Sequence, residues 1–116
     1  MDSIRKEQLI RAGIDLDAAL DRMMGNEALL ERLLQKFLSD QNFDKLQTAV
    51  ADHNLDDALT ASHTLKGVCG NLSMTRLFEL FSEQVSDFRA GAWEKAVGLL
   101  PEISAAYFQV ARAIRS

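Results

Sequence analysis

The sequence predicts an all-α protein, an antiparallel four-helix bundle with a short additional N-terminal helix. Three observations carry that expectation. Apolar residues recur at helical spacing, as in Leu29, Leu30, Leu33, Leu34, Phe37 and Leu38. Strand-forming runs of Val, Ile and Thr are absent, and Pro101 is the one proline. The periodic stretches are joined by short polar or glycine-containing breaks, a pattern that favours antiparallel neighbours in a bundle.

The elements follow in order. Residues 1–13 are largely polar, end at Gly13 and read as an arm or short helix ahead of a bundle over residues 14–116. Asp15 is placed to cap a helix over 16–24, with Ala19, Leu20 and Met23 on one face and Gly25 closing it. Asn26 caps the next helix, whose apolar repeat runs to Ser39-Asp40 and resumes through Phe43, Leu46 and Val50. His53-Asn54 is a polar stop, and a histidine at a helix end meets a favourable dipole there. Leu55 begins a helix that ends near Asn71. Ser73 or Thr75 opens another, with Leu77, Leu80, Phe81, Val85 and Phe88 inward, closed by Ala90-Gly91. Trp93 starts the last stretch, expected to clamp that corner, and Pro101 inside it should kink or restart the helix.

Length and charge narrow the function. At 116 residues the chain suits one ordinary core, and 47% hydrophobic residues is a globular value. The net charge is −4 with no basic stripe, which argues against nucleic acid as a partner. No apolar run approaches the roughly 20 residues that span a bilayer, which argues against a membrane segment. Residues 1–6 lack the apolar core of a signal peptide. The lone Cys69 cannot form an internal disulfide, and a cytoplasmic setting is expected.

The stretch Ser62-His63-Thr64-Leu65-Lys66-Gly67-Val68-Cys69-Gly70-Asn71-Leu72 holds the candidate chemistry. At about 100° per residue, Ala58, Leu65, Val68, Cys69 and Leu72 cluster opposite His63 and form the core face. Asp56, Thr60, Lys66, Gly67 and Gly70 fall within roughly 60° of the histidine. They are polar or tiny, so the outward stripe is exposed and low in relief. Each glycine costs about 1 kcal/mol relative to alanine inside a helix. Two explanations fit that cost: clearance for another protein approaching the imidazole, or close approach of a neighbouring helix together with a helix end at Gly70.

His63-Thr64-Leu65-Lys66-Gly67, with Asn71 beyond, resembles the phosphoacceptor motif of histidine phosphotransfer (HPt) domains, roughly His-x-Leu-Lys-Gly. The likeness extends over about residues 14–110 through Phe37-Leu38 and Arg89-Ala90-Gly91-Ala92-Trp93. Ser73 stands where that family usually has glycine, and Val68-Cys69 replace commonly smaller residues. The resemblance implies a phosphorelay intermediate, not an enzyme. His63 would take a phosphoryl group from a receiver-domain aspartate and pass it to another receiver. A neutral imidazole suits this, because its ordinary pKa is about 6.5, and Nε2 is the nitrogen expected to project outward. Lys66 would offset phosphate charge as a point charge. The resemblance also implies that Gln84 approaches from the next helix to hydrogen-bond the imidazole or phosphate. Thr60, Gly67, Gly70 and Leu59 would form the partner-approach surface, bordered by Ala19 and Met23 of the first bundle helix.

The chain has no Gly-rich phosphate loop and no acidic cluster that suggests a magnesium site. No metal or cofactor is expected on it. In-line geometry and Mg²⁺ would come from the partner, a response-regulator receiver domain, with a hybrid histidine kinase as one possible source of the phosphoryl group. Three other readings are weighed. The phosphoacceptor domain of a chemotaxis-type histidine kinase matches poorly after Gly67. A metal- or haem-binding bundle lacks paired ligand spacing. A structural helical adaptor would make His63 incidental.

Overall fold

The computed structural model describes residues 1–116, folded into eight helical segments joined by short turns. They are α1 (Ser3–Arg11), α2 (Leu16–Arg22), α3 (Glu27–Leu38), α4 (Asn42–Ala51), α5 (Leu55–Asn71), α6 (Thr75–Arg89), α7 (Trp93–Gly98) and α8 (Leu100–Arg115). The all-α expectation holds, and the segments form a helical bundle. The count of four does not hold strictly, because two of the expected rods are broken. At the first break the Asp40 carboxylate accepts from the Asn42 N–H at 2.7 Å and turns the chain between α3 and α4. At the second, Pro101 has no N–H for the carbonyl one turn earlier, so α8 restarts with proline in its first turn.

The two caps read from sequence are in place: Asp15 accepts from the Ala18 N–H at 3.1 Å and Asn26 from the Leu29 N–H at 3.0 Å. Asn54, expected only as part of a polar stop, also caps α5 by accepting from the Asp57 N–H at 3.0 Å. The His53 ring stacks at 4.8 Å on Trp93, which in turn meets Phe88 at 5.5 Å. His53 therefore sits at the corner that Trp93 clamps.

Residues 1–13 are more than an arm. Asp2 caps α1, Leu9 is wholly buried in the common core, and Arg5 forks onto Glu31 of α3 at 3.0 and 3.1 Å. The same guanidinium donates to the Ala113 carbonyl at 2.7 Å, tying α1 to the end of α8. Gly13 and Asp15 also pair with Thr75 and Ser73 through backbone hydrogen bonds, an isolated antiparallel bridge centred on Ile14 and Met74. This bridge joins the α1–α2 turn to the α5–α6 turn.

The core is one continuous apolar cluster that includes Leu30, Leu34, Phe37, Leu46, Leu65, Leu77, Phe81, Phe88, Ile103 and Ile114. Helix α5 is wedged between α4 and α6, its two main neighbours, and keeps one face toward solvent. Met23 and Ala19 are buried, so they do not border the expected docking surface; their helix turns that face into the core.

Cys69 and Tyr107 are buried among apolar groups. Burial pushes the Cys69 thiol up to about 12 and raises the Tyr107 phenol as well, with Asp40 adding to both. Two outcomes follow. The folded protein should resist thiol alkylation at pH 8 and become labelled only on unfolding. Its stability should fall as pH rises above about 9, because the unfolded thiol ionises there while the folded one stays neutral. Alkylation followed by mass measurement, with and without urea, checks the first; urea melts across pH 7–11 check the second.

Candidate functional site

Helix α5 runs for 17 residues, and its alternation of small and apolar side chains decides which way it faces. Ala58, Ala61, Ser62, Leu65 and Cys69 are buried. Asp56, Thr60, His63, Thr64, Gly67 and Asn71 are exposed. His63 therefore stands on the solvent stripe, as the helical spacing predicts, and Gly67 follows one turn later on the same face. Lys66 is half-buried on the α6 side of that stripe. Leu59 is half-buried and packed against the core, so it offers only part of its side chain to the surface.

The two glycines separate the two explanations for their cost. A methyl group added at Gly67 would meet nothing within 4 Å, which fits clearance. One added at Gly70 would lie 2.9 and 3.0 Å from the Phe78 ring, which fits close helix packing. Phe78 belongs to α6 and is 39% exposed. Its ring also lies under Lys66, whose Nζ is 5.9 Å from the ring centroid.

Gln84 is not where the resemblance implied. Its side chain is wholly buried and its amide is committed elsewhere. The Ser62 hydroxyl donates to Gln84 Oε1 at 2.7 Å, and Gln84 Nε2 donates to the Ala96 carbonyl at 3.0 Å. The physical reason is the direction of its helix face: Gln84 sits beside Val85 and Phe81 on the core side of α6. It supports His63 indirectly, by locking the preceding residue of α5 to α6 and α7.

The end of α5 is held by Arg22 of α2. Its guanidinium donates to the Gly70 carbonyl at 2.7 Å and to the Ser73 hydroxyl. Unpaired carbonyls at a helix C-terminus carry negative partial charge, so a cation there is favourable. The chain leaves α5 through Ser73 at φ +55, a left-handed conformation in which the Met74 N–H returns to the Cys69 carbonyl at 2.9 Å. Glycine is the natural residue for that conformation, which accounts for the glycine that the pattern has where this chain carries Ser73. Arg22, Ser62 and Phe78 were not singled out from the sequence. Only Phe78 left a signal there, as a large apolar residue off the inward stripe of α6.

No three His, Cys, Asp or Glu side chains lie close enough together to hold a metal ion. No helix is long and apolar enough to cross a membrane.

The arrangement is thus a reachable imidazole on a rigid helix, with a lysine at one side and bare backbone at the other. Comparison with curated proteins and with solved structures gave no match. A family model described as "Hpt domain" matches residues 28–113, about three quarters of the chain and the whole of α4 to α7. The chain belongs to the Hpt (histidine phosphotransfer) domain family and is a phosphorelay intermediate, a phosphocarrier between receiver domains.

Proposed function

We propose that His63 is the residue that carries the phosphoryl group. The observation that supports this is the exposed imidazole on α5 beside Lys66, with open space over Gly67 one turn away. The other histidine, His53, is stacked on Trp93 at a helix end. In the step envisaged, the lone pair of His63 Nε2 attacks phosphorus of a receiver's aspartyl phosphate in line. The P–N bond forms as the P–O bond to the aspartate breaks, the carboxylate leaves, and the imidazole proton stays on Nδ1. Mg²⁺ on the receiver offsets the charge of the transferring oxygens. Lys66 supplies a further positive charge to the bound phosphoryl group. The reverse step, onto a second receiver, uses the same geometry.

The partners are response-regulator receiver domains. A hybrid histidine kinase is the proposed source of the first phosphoryl group, and the cytoplasm the proposed setting. Thr60 and Gly67 line the surface a receiver would cover, with Gly70 and Leu59 beneath its edge.

The test is phosphoryl transfer from a receiver domain, charged with a small-molecule phosphodonor and Mg²⁺, to wild type and to His63→Gln. An acid-labile, alkali-stable label on wild type and none on His63→Gln is expected. A label that persists on His63→Gln, or no label on folded wild type from any of several receivers, overturns the assignment and favours a structural adaptor.

A further inference from the structure

Phe78 is an anomaly of α6. The other large apolar residues of this helix, Leu77, Leu80, Phe81, Val85 and Phe88, are buried, whereas Phe78 keeps 39% of its surface in solvent. Its ring is seated on the bare backbone of Gly70, where a single Cβ would come within 2.9 Å. From that seat it reaches Lys66, whose ammonium lies 5.9 Å from the ring centroid. Lys66 takes part in none of the ion pairs of the structure, which involve other side chains. The ring is therefore the observed partner of its charge.

We infer that Phe78 is a positioning residue for Lys66: seated on Gly70, its ring holds the lysine ammonium on the α6 side of His63, within reach of a phosphoryl group but off the open face over Gly67. The inference rests on the reading of His63 as phosphoacceptor. Its physical basis is the freedom of a lysine side chain. A free lysine samples many rotamers, and most of them point away from the histidine or across the approach path. An aromatic face attracts a cation weakly and without a carboxylate's charge. That suits a cation that has to be released to phosphate; a carboxylate partner would compete for it and repel the incoming anion. The Gly70–Phe78 contact explains why the second glycine is kept at a cost to the helix, and it does so without invoking a partner.

The test is a four-protein cycle in phosphotransfer from a charged receiver: wild type, Lys66→Ala, Phe78→Leu and the double variant. Leucine keeps an apolar group over Gly70 and removes the π face. The loss caused by Lys66→Ala is expected to be about two- to fivefold smaller in the Phe78→Leu background than in wild type. Phe78→Tyr, which keeps the π face, is expected to restore the full effect. Thermal melts show whether each variant is folded. In addition, the Lys66 methylene protons of wild type should show a ring-current shift that Phe78→Leu abolishes. A Lys66→Ala loss of equal size in both backgrounds overturns the positioning role while leaving His63 as acceptor. Absence of any His63-dependent label on wild type overturns the acceptor reading itself, and this role with it.

Discussion

Gln84→Glu is expected to make the stability of the fold depend on pH. The amide it replaces is wholly buried, accepting from Ser62 and donating to the Ala96 carbonyl. A carboxylate can still accept from Ser62. It cannot donate to a carbonyl unless it is protonated, and an ionised group has no water there to solvate it. The folded-state pKa of the new glutamate must therefore lie above its unfolded value of about 4.3. With that sign, the variant keeps most of its stability below about pH 4 and loses it as pH rises. At pH 7 the loss should be about 3 kcal/mol or more. Gln84→Leu removes the donor and acceptor together and should cost about 1–3 kcal/mol with little dependence on pH. The smaller figure is favoured because Ser62 can turn to the carbonyl of Ala58 one turn back. Urea denaturation of the three proteins at pH 4 and pH 7 measures both. Equal losses for Gln84→Glu at the two pH values would mean that the site admits water or a cation, against the dry contact described above.

Gly67→Ala is expected to separate stability from transfer. Nothing stands within 4 Å of the added methyl, so the helix gains about 1 kcal/mol from the better helix former. The same methyl rises on the face of His63, one turn along, where a receiver would pack. Overfilling a close interface costs about 1–3 kcal/mol, which corresponds to roughly five- to 150-fold in transfer rate. A higher melting temperature together with slower phosphotransfer is the expected pair of results. A variant that is more stable and transfers at the wild-type rate would show that Gly67 lies outside the contact.

The elements were legible in the sequence because their signals are local. Asp15 and Asn26 each reach a backbone N–H three residues on, so the cap and its target lie within one short window. The facing of α5 followed from a wheel count, and His63 fell on the exposed stripe as expected. Val68 was expected inward and is half-buried, since it lies at the margin of the apolar arc. Gln84 was misplaced because the resemblance was followed over the local pattern: at about 100° per residue it falls inside the arc of Leu77, Leu80, Phe81, Val85 and Phe88, the core side of α6. The Phe78–Gly70 contact, by contrast, is non-local: each residue is odd by itself, a glycine inside a helix and an exposed aromatic, and they explain each other only once the helices meet. The left-handed turns at Met24 and His53 were invisible for another reason. Non-glycine residues rarely adopt such a conformation, and their identity gives no warning of it; at Ser73 the one hint was the glycine usual at that place in the resembling family.

The stretch that carries the family signature begins at residue 28, yet the helix holding the phosphoacceptor candidate is anchored by residues ahead of it. Arg22 grips its final turn, the pairing of Ile14 with Met74 fixes its exit, and Leu9 is buried in the core that the whole bundle shares. What is recognisable as a hereditary pattern and what holds together as a mechanical object thus have different borders. A transplant of the signature alone into another scaffold would carry the histidine without its stays, and the recipient would have to supply a cation for the loose carbonyls and an apolar wedge for the gap left by Leu9.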